Sequence, residues 1–107
     1  SVLNRSCRSP SLMRTFYRAY STYPTSWGVE MAGIRLFASL GAARRYAARL
    51  AGEVASDALQ TDDTLTVEIE DLATGDAVEF WQFEAEVVSV FRDGKWEKKR
   101  TRELIRK

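Results

Sequence analysis

Three pairs of carboxylates stand close together along this chain: Asp62/Asp63, Glu68/Glu70 and Glu84/Glu86. Paired carboxylates do general acid and base work when burial or a neighbouring charge pulls their pKa values apart. Each Glu pair is spaced i,i+2 beside an alternating apolar run, which puts both acids on the outer side of a strand, where water keeps them alike. Asp62 and Asp63 are adjacent, and two neighbouring carboxylates fall short of the oxygen set of a calcium or magnesium loop. The chain has no histidine, so the commonest general base and metal ligand is missing. Cys7 is the single cysteine. It has no histidine to activate it and no second cysteine to pair with, and zinc, haem and iron–sulfur sites lack a ligand set. No glycine-rich phosphate loop is present. These residue types predict a protein that is not an enzyme and that takes no cofactor and no metal.

The remaining candidate chemistry is charge. The formal net charge of +1 conceals three blocks. Residues 1–49 hold eight Arg and one acid, Glu30; residues 51–91 hold eleven acids and no Lys or Arg; residues 92–107 hold eight bases and three acids. Such a layout speaks to partners. The basic end contains Trp96, Lys98, Lys99, Arg100 and Arg102, a composition that binds phosphate and stacks on a base. Arg44, Arg45 and Arg49 add a second basic group, while Glu68, Glu70, Glu84 and Glu86 form an acidic one. These twelve residues are the candidate partner-binding set, with rRNA a possible contact of the C-terminal arm. The alternative is that the basic end pairs with the acidic sheet of its own chain.

The elements that must position these groups follow from periodicity. Residues 27–37 read as one kinked strand or two short ones, with Gly33 breaking the phase. Residues 39–59 make the clearest helix. Ser39 caps it, and Leu40, Ala43, Ala47, Leu50 and Val54 form a 3-4-3-4 stripe that Ala58 continues. Its charges oppose the macrodipole, with Arg44, Arg45 and Arg49 early and Glu53 and Asp57 late, so something other than helix stability set them. Gly41 and Gly52 predict close packing. Residues 64–70 alternate strictly, with Leu65, Val67 and Ile69 inward. Thr74-Gly75-Asp76 signals a turn. Residues 77–91 return as one long strand or two with a bend, and the change of phase from Phe80 to Trp81 predicts a bulge there. Asp93-Gly94 predicts a type I′ hairpin that sets Phe91 opposite Trp96. Beyond Trp96, strand, helix and extended chain all fit.

The fold class expected is α+β: a small open antiparallel sheet of three to five strands with one main helix on one face, and basic N- and C-terminal extensions. The expected divisions are an extension over 1–26, the domain over 27–96 and a basic arm over 97–107. The first extension is Arg-rich, Ser-rich and acid-free, the composition of an organellar transit peptide. A basic amphipathic helix fits after Pro10, with Leu12, Phe16 and Tyr20 on one face. Arg18-Ala19-Tyr20-Ser21 resembles a mitochondrial processing context. Loss of residues 1–20 would take four Arg and no acid, moving the net charge from +1 to −3. The competing reading is a plain basic tail outside any organelle, on a cytoplasmic protein. No stretch approaches the ~18 apolar residues of a membrane span. Together these features predict a non-catalytic accessory subunit of a large mitochondrial multiprotein complex. A respiratory-chain or ATP-synthase complex stands ahead of the mitoribosome because the sheet is acidic. A small nucleic-acid-binding domain and a stand-alone dimer are the alternatives.

Overall fold

The structure is a computed structural model that describes residues 16–105. Its elements are β1 (Tyr17–Thr25), β2 (Gly28–Phe37), α1 (Leu40–Ala58), β3 (Leu65–Asp71), β4 (Ala77–Glu84), β5 (Val87–Arg92), β6 (Lys95–Arg100) and α2 (Thr101–Ile105). The six strands form one antiparallel sheet in the order β2-β1-β3-β4-β5-β6. The class is α+β with an open sheet and one main helix, as expected, but there are six strands rather than three to five.

The extra strand is β1. Tyr17–Tyr20 are not helical; they lie in an interior strand of the sheet, between β2 and β3. The segment is rich in aromatic and β-branched residues, which suit a pleated surface. Its inward phase is small: Ala19 is fully buried opposite Ile69, and Ser21 is buried opposite Val67. The sheet therefore includes Tyr17–Thr25, a stretch that the expected division placed in the N-terminal extension. Cys7, Pro10, Leu12 and the arginines up to Arg14 lie outside the described residues. The C-terminal arm is likewise split: Glu97–Arg100 complete β6, and α2 follows.

One face of the sheet carries the core. α1 lies across it, with Ala43, Ala47, Leu50, Ala51, Val54, Ala55 and Ala58 buried against Leu65, Val67, Ile69, Trp81, Phe83, Val88 and Val90. Alanines bring the helix axis near the sheet, so the large strand side chains fill the layer between them. Ser39 caps the helix, its Oγ accepting from the Ala42 amide at 3.1 Å. Gly52 is explained by close approach: a Cβ there would lie 3.3 Å from the Leu104 carbonyl of α2. Gly41 is not, since its only near neighbour is the flexible end of Arg45.

Two turns set the register of β4, β5 and β6. Asp93 and Gly94 both have positive φ, 55° and 77°, the type I′ turn that pairs Phe91 with Trp96. β4 and β5 are joined by the two-residue turn Ala85-Glu86, so residues 77–91 are two antiparallel strands. No bulge occurs at Phe80–Trp81. The register shift lies two residues earlier, where Ile69 pairs with Glu79 and Glu70 with Ala77. The apolar phase misleads because Glu79, an acid, points inward with Trp81 and Phe83, while Phe80 points out.

Candidate docking surface

Glu79 is 1% exposed and fully partnered. Its Oε2 accepts from Trp81 Nε1 at 2.8 Å, and its Oε1 accepts from Arg44 Nε and Arg92 Nε, both at 3.1 Å. Arg92 also lies over the Trp81 ring, 5.6 Å from its centroid. Arg44 reaches Asp93 as well, at 3.2 Å. An arginine early in α1 opposes the dipole because Glu79 lies beneath it. Each carboxylate oxygen of Glu79 is thus held by donors.

Two further ion pairs form within the chain. Arg18 Nε donates to Glu70 at 3.1 Å, and Arg102 Nε to Glu86 at 3.2 Å. Of the twelve candidate partner residues, Arg44, Glu70, Glu86 and Arg102 are thus in ion pairs. Arg45 and Arg49 are exposed on α1. Glu84 accepts from Gln82 Nε2 at 2.9 Å. Glu68, Trp96, Lys98 and Arg100 stand on the sheet face opposite α1, and Lys99 is on the helix side, paired with Val88.

That opposite face is open. Register places one row across it: Tyr20, Glu68, Phe80, Phe91 and Trp96. Phe91 and Trp96 have centroids 5.3 Å apart, and Phe80 meets Trp96 edge-on at 6.4 Å. Thr22 and Thr66 are hydrogen-bonded side by side in the next row. Toward the β2 edge the face becomes aliphatic, with Val29, Met31, Ile34 and Leu36; Ile34 is 50% and Leu36 63% exposed. Trp96 is 58% exposed. Burial pushes the Tyr20 phenol up to about 12, with the adjacent Glu68 carboxylate adding to the effect. Burial likewise raises Glu68 above the usual carboxylate range. Hydrogen bonding to Glu70 holds Arg18 more firmly protonated. Each shift reflects neighbours crowding a flat surface.

A cleft of ≈ 530 Å³ opens between the second half of α1 and the β1–β2 hairpin, with Leu50, Val54 and Leu65 as its apolar floor and Glu53 and Asp57 on its rim. Both carboxylates are exposed. Among the described residues no group of three metal-ligating side chains occurs, and no helix is long and apolar enough to cross a membrane.

No protein-family model matches the chain, and neither a curated protein nor a solved structure does.

Sequence periodicity missed the outward phase of Phe80 and the aliphatic phase of β2. The change of phase at Phe80 reads as a bulge, and β1 lies inside the segment whose composition suggests an address. The signal that finds them is the pair Phe91/Trp96: once the Asp-Gly turn fixes that pair, β4 register carries the row to Phe80.

Proposed function

We propose that this chain is a non-catalytic docking subunit of a larger protein assembly, covered by a neighbouring subunit on the open face of its sheet. One observation supports the reading. A one-sided antiparallel sheet ordinarily turns polar residues to water, whereas this one turns out Phe80, Phe91 and Trp96 at one flank and an aliphatic strip at the other. Apolar side chains grouped on an open sheet face are characteristic of interaction sites, and aromatic residues bordered by Lys98 and Arg100 resemble the make-up of an interface centre and rim. A mitochondrial setting belongs to the proposal, from the acid-free, Arg- and Ser-rich composition of residues 1–15. Within it a respiratory-chain or ATP-synthase complex stands ahead of the mitoribosome, because β3 and β4 are acidic.

The test is native-mass fractionation of the tagged chain from its own cells. The wild type should migrate in a particle much larger than itself. Trp96→Ala combined with Lys98→Glu should leave that particle while changing folding stability by no more than about 1 kcal/mol. A wild-type chain that runs only at its own mass, or at twice it, overturns the proposal.

A second reading has one observation in its favour. An open antiparallel sheet with Phe80, Phe91 and Trp96 beside two cations is also a stacking platform for single-stranded nucleic acid. Glu68 in the same row counts against it, as does the engagement of Arg44 by Glu79. Affinity for single-stranded RNA that falls steeply with salt and vanishes in the same double variant would favour it.

A further inference from the structure

β2 is an edge strand of ten residues, hydrogen-bonded to β1 on one side and unpaired on the other. Natural edges are ordinarily blunted by charge, proline or shortness. The opposite edge, β6, follows that rule, with Lys95, Lys98, Lys99 and Arg100 in six residues. β2 carries one acid and one base, Glu30 and Arg35. Among the described residues neither is in an ion pair.

The sequence of β2 complements itself. Read outward from the bond between Ala32 and Gly33, Met31 matches Ile34, Glu30 matches Arg35, and Val29 matches Leu36. In an antiparallel pair related by a two-fold axis, residues i and j meet where i + j is constant. An odd constant pairs residues of opposite parity, and in a regular strand those lie on opposite faces. β2 is not regular. The register with β1 skips one residue between Ala32 and Arg35, and Gly33 takes φ +64°, so the extra residue of the bulge sits at the centre of the match. Beyond it the phase is reversed. Glu30 and Arg35 both lie on the helix side, opposite Tyr23 and Ala19, while Val29, Met31 and Leu36 lie on the open side, opposite Pro24, Thr22 and Arg18. Every matched pair then falls on one face.

We infer that β2 is the interface of a symmetric homodimer, in which two copies of this chain join edge to edge into a continuous twelve-stranded sheet. Glu30 of each copy faces Arg35 of the other on the helix side. Met31 faces Ile34, and Val29 faces Leu36, on the open side. Such an interface is isologous and closed. The like-charged β6 edges repel further copies, so growth stops at two. The inference stands on β2 alone and does not depend on the docking reading, whose variant lies on β6.

Sedimentation velocity and native mass spectrometry of the purified chain test it. The wild type should have twice the 12.1 kDa mass of one chain. Arg35→Glu sets Glu30 against a carboxylate, and Glu30→Arg sets Arg35 against a guanidinium; each should weaken the dimer by roughly tenfold or more. The double exchange Glu30→Arg/Arg35→Glu should restore self-association. Mixing the two single variants should yield a heterodimer in preference to either homodimer. A wild type that stays monomeric at high concentration overturns the inference. So does a dimer indifferent to both single exchanges, or single variants that ignore each other when mixed.

Discussion

A carboxylate taken out of water is costly unless its oxygens are met by donors. Glu79 meets that condition with two guanidinium groups and an indole N–H. The arginines keep part of their surface in water, and each can turn back to it. Trp81 Nε1 has no such alternative, because its ring is buried in the core. Glu79→Ala should therefore lower stability by about 2 kcal/mol, read as a fall in the urea midpoint. Glu79→Gln keeps an acceptor for the indole and should recover a substantial part of the loss. The same residue accounts for an oddity of the helix: Arg44 stands where the macrodipole disfavours it, and its bond to Glu79 offsets a penalty of a few tenths of a kcal/mol.

At the scale of elements, legibility tracked how far a local pattern was allowed to speak. α1 was legible because its cap and stripe are both local. β3 was legible because its alternation is uninterrupted, and the β5–β6 hairpin because Asp-Gly has one well-suited conformation. β4 was half legible, since an inward acid breaks the apolar period that alternation relies on. The β4–β5 reversal was hidden because Ala85-Glu86 holds no turn residue, although Ala85 adopts φ 54°. β1 was hidden by composition: arginines and serines dominate the first 23 residues, and its inward phase is Ala and Ser rather than Val or Ile. The open face, which carries the candidate site, depends on the register of five strands and so lay beyond any local pattern. Ala85 also gives a test of its turn. Ala85→Gly should stabilise the chain by about 0.5 kcal/mol, because relief of left-handed strain outweighs the added freedom of the unfolded chain. Gly94→Ala at the neighbouring turn should cost about 1 kcal/mol. Paired denaturation curves of the two variants, shifted in opposite directions, check both.

Across the whole molecule, the basic–acidic–basic layout resolves into internal pairing. Arg18 and Arg44 from the first block and Arg92 and Arg102 from the third each hold an acid of the middle block. The blocks are brought together because β3 and β4, from the acidic block, lie at the centre of the sheet, with basic segments on either side. This arrangement also bounds where the chain tolerates shortening. Removal of residues 1–15 should leave a cooperative urea transition. Removal of residues 1–20 takes the first half of a central strand with buried Ala19 and Tyr20, and should abolish that transition. Any processing cut that leaves the fold intact lies before Tyr17.

The position of β1 has a consequence in time. Its partner on one side, β2, follows after two residues, but its partner on the other, β3, is far downstream: Thr22 meets Thr66 across 44 residues, and Arg18 meets Glu70 across 52. Closing such distances is slow compared with forming a hairpin. During synthesis the β1–β2 hairpin and α1 emerge first and must wait, with both hairpin edges bare, until β3 has left the ribosome. For that interval the core-facing side of β1 has only α1 to rest on. The order in which the chain is made thus leaves its most aggregation-prone strands waiting longest for cover.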